Sequence, residues 1–194
     1  MSADRSYRDA FFALVPEAGG RALEVGCGDG RVCRDLAARG WEVTGIDTAL
    51  PAVRAAAAAH PEGTYAVADA AALPFEDGSF DLVVAYNALT DMEDMPGAVR
   101  EAERVLAPEG AFCVCITHPM SDAGTFDGER FSLSRPYLRP GLSPSLRARP
   151  LEAYTRALEA AGLVIEALRE PASPLDPGRT VPMFLMLRAR RSGP

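Results

Sequence analysis

The residues best suited to chemistry gather at Glu24-Val25-Gly26-Cys27-Gly28-Asp29-Gly30, a carboxylate followed by glycines at alternate positions. Alternate glycines let a backbone turn sharply and come to van der Waals distance of a ligand, because no Cβ holds it off. Between a strand and a helix, such a turn is where open α/β sheets bind adenine-containing cofactors. Two more carboxylates fall where that geometry would use them. Asp47 ends the next apolar run and can accept from both ribose hydroxyls of a cofactor lying across the strand ends. Its competing role is an N-cap for the helix that follows. Asp69 ends the run after that; its side chain can accept from an adenine amino group while the Ala70 N–H donates to a ring nitrogen. The alternative is a loop aspartate bonded to its own backbone. His118, in Thr117-His118-Pro119, is the histidine nearest these strand ends. It reads either as a base or acceptor-orienting group, or as a packed ring in a context that Pro119 keeps extended.

The elements that must position these residues follow from hydrophobic periodicity. Tyr7, Ala10, Phe11 and Leu14 recur at helical spacing and predict an N-terminal helix within residues 1–18, closed by Pro16 and Gly19-Gly20. Strands are expected at Arg21–Val25, Trp41–Ile46, Thr64–Ala68, Phe80–Tyr86 and Ala111–Thr117, the last after a turn at Pro108-Glu109-Gly110. Helical patterns separate them: Val32, Cys33, Leu36 and Ala37 on one face; an alanine-rich run from Pro51 to Ala59; and Val99, Ala102, Val105 and Leu106 after Pro96, which suits a first helical position. Alternation of strand and crossover helix implies a parallel sheet covered on both faces. The ending differs. Pro150–Ala161 reads as a last helix capped by Gly162, and Leu163–Leu168 and Pro182–Ala189 have no helix between them, so they should pair antiparallel.

Composition narrows the function class. At 194 residues, the whole chain, 1–194, is expected to form one domain able to bury roughly 70% of its unfolded surface. A net charge of −7 argues against sequence-independent nucleic-acid binding, which needs a positive field. No apolar run is long enough to span a bilayer, and the N-terminus has no signal-like apolar core, so the expectation is a cytoplasmic protein without a membrane partner. Cys27, Cys33, Cys113 and Cys115 show neither a disulfide framework nor a zinc spacing. Asp91-Met92-Glu93-Asp94 lacks a spaced partner carboxylate or amide; it reads as a solvated loop favouring the next helix's N-terminus, and no metal site is expected. Richness in Ala, Arg, Gly and Pro points to a high-GC bacterial source.

Taken together, Leu23–Arg31, Gly45-Ile46-Asp47, Asp69, the run Leu73-Pro74-Phe75-Glu76-Asp77-Gly78-Ser79-Phe80-Asp81-Leu82-Val83, and Arg104-Val105-Leu106-Ala107-Pro108-Glu109-Gly110 resemble the class I S-adenosylmethionine-dependent methyltransferases, most closely the type 11 group. The resemblance covers about Tyr7 to Met120 and, less specifically, the last helix and hairpin. It implies a Rossmann-like three-layer α/β sandwich with a seven-stranded, mostly parallel sheet, order 3-2-1-4-5-7-6 and strand 7 antiparallel. It implies S-adenosyl-L-methionine as cofactor, S-adenosyl-L-homocysteine as product, and methyl transfer to a small-molecule acceptor by in-line displacement. Carried over by position, Glu24, Gly26, Cys27, Gly28 and Gly30 belong to the turn that holds the methionine part. Asp47 and Thr48 hold the ribose, Asp69 and Ala70 the adenine, and Tyr86 and Asn87 flank the sulfonium.

Members of this group often carry a longer segment, with extra strand, before the last helix. Here Ser121–Pro150 is short and rich in Pro and Arg (Arg130, Arg135, Arg139, Arg147, Arg149), and is expected to be an ordered loop or partial lid on the acceptor side. The acceptor pocket is placed among Tyr7, Tyr86, Asn87, His118 and this segment, with Phe126 and Phe131 as walls and arginines available for an acidic group. So short a cover leaves the pocket either open or completed by a second copy, a homodimer. Two other readings compete: an S-adenosylmethionine- or S-adenosylhomocysteine-binding protein without robust turnover, acting as regulator or scaffold, and a nicotinamide oxidoreductase. The glycine spacing, the second acidic strand end at Asp69 and the antiparallel ending all oppose the oxidoreductase.

Overall fold

Side chains of the strand Phe80–Tyr86 alternate between two cores, and that alternation divides the molecule into layers. Leu82 and Val84 face one core with Tyr7, Phe11, Cys33 and Leu36; Val83 and Ala85 face the other with Val99, Ala102, Tyr154 and Leu158. A strand buried on both faces needs such near-continuous apolar sequence. The computed structural model describes residues 3–126, 131–133, 149–172 and 181–193.

In chain order the elements are α1 (Ala3–Phe12), β1 (Arg21–Val25), α2 (Arg31–Ala37), β2 (Glu42–Asp47), α3 (Leu50–Ala59), β3 (Thr64–Val67), β4 (Phe80–Tyr86), α4 (Met95–Val105), β5 (Leu106–Thr117), α5 (Pro119–Ala123), β6 (Gly124–Phe126), β7 (Phe131–Leu133), α6 (Leu151–Ala160), β8 (Leu163–Arg169) and β9 (Phe184–Arg191). The main sheet has the order β3-β2-β1-β4-β5-β9-β8. Strands β1 to β5 pair in parallel, and β9 runs antiparallel to both β5 and β8. Counting only strands of this sheet, that is 3-2-1-4-5-7-6 with the seventh reversed, as the resemblance implies. The register places Glu24 beside Gly45 on one side and Val84 on the other, so the ends of β1, β2 and β4 lie at one edge.

Helix α4 starts as the sequence predicts. Pro96 stands in its first turn and the Asp94 carboxylate accepts the Gly97 N–H at 2.8 Å, which gives a first-turn donor its partner.

Two expectations need correction. The run Pro108-Glu109-Gly110 does not precede β5 but lies within it: Leu106 already pairs with Phe80, and residues 107–110 bulge outward opposite Asp81 before Ala111 pairs with Leu82. A proline lacks the N–H a ladder needs, and a bulge accommodates it without ending the strand. The segment after β5, expected as a loop or partial lid, contains the short helix α5 and a two-stranded antiparallel ribbon, β6 with β7. Arg130, Arg135, Arg139 and Arg147 lie outside the described residues, as do all of 127–130 and 134–148.

Candidate functional site

The glycine turn leaves β1 with Gly26, Gly28 and Gly30 all in the left-handed region, at φ 72°, 54° and 74°. Each serves a different purpose. A Cβ on Gly26 would stand 2.4 Å from the Ala88 Cβ, and one on Gly30 would stand 2.8 Å from the Ala56 Cβ. Those two glycines let neighbouring elements close on the turn. A Cβ on Gly28 would meet nothing within 4 Å, so Gly28 borders open space. The turn is tied to the end of β2: the Cys27 N–H donates to the Ile46 carbonyl at 2.8 Å, and the Gly28 N–H to Asp47 Oδ2 at 2.9 Å.

Asp47 is not the N-cap of α3: that position is Ala49, with no side-chain cap bond. Asp47 Oδ1 accepts the Ala49 N–H at 2.9 Å, an Asx-type contact at the start of α3, while Oδ2 fixes the glycine turn. Each carboxylate oxygen has a further lone pair to offer. Asp69 Oδ1 likewise accepts the Ala71 N–H at 2.9 Å.

These groups border a cavity of about 710 Å³ at the C-terminal ends of β1 to β4, within the range of cofactor pockets. Its wall contains Gly26, Asp47, Thr48, Asp69, Ala70 and Asn87 from among the sequence-predicted site residues. It also contains Ile46, Ala68, Ala88, Asp91, Met92, Glu93, Asp94 and Ala98, which sequence reasoning did not assign to a site. Asn87 has φ 56°, a left-handed value at a residue with a side chain, and its N–H donates to the Cys115 carbonyl at 2.8 Å. Such strain, held by its neighbours, is common where a backbone is shaped for a ligand.

Other expected site residues stand behind or beside the cavity. Glu24 is 2% exposed and accepts the Cys33 thiol at 2.9 Å on Oε2. Burial pushes its carboxyl up to about 8, so it holds its proton at neutral pH and stitches β1 to α2. Cys27 is buried, Gly30 is filled in by α3, and Tyr86 packs edge-on against Phe11 with ring centroids 5.1 Å apart. Tyr7 is buried, its ring edge-on to Phe184 at 4.8 Å.

His118 is 7% exposed. Its Nδ1 accepts the Met120 N–H at 3.1 Å and its Nε2 lies 2.8 Å from Glu170 Oε1. An acceptor role at Nδ1 puts the proton of the neutral ring on Nε2, donated to Glu170, an assignment made from the partners. Both nitrogens are therefore engaged by the protein, and His118 does not line the cavity. The side chains of Phe126 and Phe131 lie outside the described residues.

Among the described residues, five carboxylates (Asp47, Asp69, Asp91, Glu93 and Asp94) and no lysine or arginine contribute to the cavity wall. That donor set suits S-adenosylmethionine, whose sulfonium and ammonium are cationic, and opposes the pyrophosphate of a nicotinamide dinucleotide. Asp47 and Asp69 present carboxylate oxygens able to accept hydrogen bonds, and the space beside Gly28 is open. The residues present fit the cofactor. Among the described residues no group of three or more His, Cys, Asp or Glu side chains is arranged to hold a metal ion, and no helix is long and apolar enough to cross a membrane.

Known proteins agree with this geometry. The family model described as a methyltransferase domain matches residues 23–114. A demethylmenaquinone methyltransferase of Roseiflexus castenholzii is 34% identical over 80% of this chain and 66% of its own length. A malonyl-[acyl-carrier protein] O-methyltransferase of Pseudescherichia vulneris is 37% identical over 46% of this chain and 36% of its own. Among solved structures, an S-adenosylmethionine-dependent methyltransferase from Mesorhizobium loti superposes with a TM-score of 0.85 at 28% identity, covering 98% of this chain and 100% of that one. The chain spans 66% of the first of these curated relatives and 36% of the second.

Fold and cavity together define a Rossmann-like α/β protein with a carboxylate-lined cavity at its strand ends. The chain belongs to the S-adenosylmethionine-dependent methyltransferases, and S-adenosylmethionine is its cofactor.

Proposed function

We propose that residues 1–194 act as one methyltransferase domain that methylates a small-molecule acceptor at the Asn87 side of the cavity. The observation that carries this reading is the convergence of Gly26, Asp47, Asp69 and Asn87, from four strand ends, on one carboxylate-lined cavity. When bound, S-adenosylmethionine supplies a methyl group already activated on a sulfonium for in-line displacement. What remains for the protein is to bind, orient and exclude water, which is worth roughly 7–11 kcal/mol of barrier when geometry is well set.

Each residue has a part in that. Asp47 and Thr48 take the ribose, with the Asp47 carboxylate already oriented by the Gly28 and Ala49 N–H groups. Asp69 and Ala70 take the adenine. The backbone of Gly26 and Gly28 receives the methionine end, with Cys27 and Gly30 completing the turn and Glu24 bracing it from behind. Asn87 sits at the reacting end, and Tyr86 supports it by packing on Phe11. His118 joins Met120 to Glu170 and is left out of the chemistry.

The named activities of relatives, on demethylmenaquinone and on malonyl-[acyl-carrier protein], support a small-molecule acceptor for this chain. The test is to incubate the protein with S-adenosylmethionine labelled in the methyl group and a fractionated extract of small metabolites. Label should move into a discrete low-molecular-mass product while S-adenosylhomocysteine accumulates. Label that stays on bound S-adenosylmethionine through every fraction overturns the proposal in favour of a binding protein.

A further inference from the structure

Arg149, expected to be available for an acidic group, is committed elsewhere. It precedes α6 and reaches across to the loop that follows β4. Its Nη1 donates to the carbonyls of Thr90 at 2.9 Å and Leu89 at 3.3 Å; its Nη2 donates to those of Met92 and, at 3.3 Å, Glu93. One guanidinium thus serves four carbonyls of a segment with little regular structure of its own.

That segment is the cavity's outer wall. Asp91, Met92, Glu93 and Asp94 all line it, and the Met92 Cε lies 3.6 Å from where a Cβ of Gly26 would stand, against the glycine turn. Leu89 and Thr90 are 2% and 7% exposed. Carbonyls beside such buried residues need a donor, since an unpaired backbone group away from water is costly. Only a planar fork with five donors can reach so many carbonyls from one position; an ammonium cannot.

We infer that Arg149 is a positioning residue: its guanidinium clasps Leu89–Glu93 and so holds the outer wall of the cofactor cavity in its binding shape, linking that wall to α6. The inference rests on the reading of the cavity as the S-adenosylmethionine site. Its consequence is quantitative. If the wall occupies the binding shape only a fraction of the time, apparent affinity falls by that fraction.

The experiment compares wild type, Arg149→Ala and Arg149→Lys by titration with S-adenosylhomocysteine, with and without millimolar guanidinium chloride, and by hydrogen exchange of unliganded protein. Arg149→Ala should weaken binding about tenfold or more and speed exchange in residues 88–94, leaving the amides of β1, β2 and β4 as protected as in wild type. Guanidinium, but not an equal concentration of potassium chloride, should restore part of the lost affinity. Arg149→Lys should fall between. Binding of Arg149→Ala within about twofold of wild type, or exchange that rises equally through the sheet, overturns the clasp. Wild type that fails to bind S-adenosylhomocysteine sinks the cofactor reading instead, while exchange at residues 88–94 still decides the clasp.

Discussion

Replacing Asp47 by asparagine keeps side-chain shape and removes one acceptor oxygen. In the structure Oδ2 accepts the Gly28 N–H and Oδ1 the Ala49 N–H, each at 2.9 Å. An amide can meet only one of these; its NH₂ group must confront the other N–H, donor against donor. A hydrogen bond to a charged group contributes roughly 1.5–3 kcal/mol. Because Asp47 is partly exposed, the lower end applies, and the folded protein should lose about 1.5 kcal/mol from this contact alone. For a chain of this size that lowers Tm by about 3–6 °C. The ribose then meets a turn that is loosened and an acceptor that has lost its charge. Affinity for S-adenosylhomocysteine, measured by isothermal calorimetry, should fall at least about tenfold, the equivalent of 1.4 kcal/mol. Asp47→Ala should cost more in both measurements. Unchanged affinity in a variant whose Tm has dropped as expected would remove Asp47 from the cofactor site and leave it only as a brace for the turn.

The glycines should separate binding from folding. Gly28→Ala costs roughly 1–2 kcal/mol of left-handed backbone strain but should weaken S-adenosylhomocysteine binding beyond that, whereas Gly30→Ala collides with Ala56 and should lower Tm first; equal effects in both variants would refute the assignment. Glu24 ties stability to pH: its folded pKa of about 8 exceeds the ordinary value of 4.5. Folded protein keeps a proton that unfolded chain releases, so this contribution is full below about 4.5 and is lost as pH rises to about 8. Relative to wild type, Glu24→Gln should gain stability across that interval, by an amount on the order of a few kcal/mol, in urea melts at pH 5 and pH 9; parallel curves would contradict the buried neutral carboxyl. His118→Ala should lower stability by about 1–2 kcal/mol through its two ring contacts, with S-adenosylhomocysteine affinity and methyl-transfer rate within about twofold of wild type. A slowed transfer at unchanged Tm would return the histidine to the acceptor site.

What could be read in advance is what α/β topology places at strand ends. Asp47, Asp69 and Asn87 follow strands of a parallel sheet, and parallel strands put their C-terminal ends on one edge whatever the side chains do. The glycine turn was legible for the same reason, as was the reversed last strand, since no helix fits between Leu163–Leu168 and Pro182–Ala189. Other features depend on contacts that no local pattern encodes. Glu24 stands next to the turn in sequence, yet it is buried and bonded by the Cys33 thiol, which α2 brings back to β1. The acidic run after β4 looks like a helix start, and Asp94 does cap α4; that its neighbours also wall the cavity follows only from where β4 ends. Arg149 left no signal, because its partners are backbone carbonyls, which any residue carries. Pro108 was read as a turn because prolines usually interrupt strands, and only the pairing of Leu106 with Phe80 shows the strand continuing past it.

The central claim is that the cavity at the ends of β1 to β4 is an S-adenosylmethionine site rather than a dinucleotide site. The direct measurement is paired calorimetric titration of the same protein with S-adenosylhomocysteine and with NAD. Five wall carboxylates and, among the described residues, no wall cation predict saturable binding of S-adenosylhomocysteine to a single site and no detectable heat from NAD. Saturable NAD binding, or silence with S-adenosylhomocysteine at every concentration tried, would contradict it.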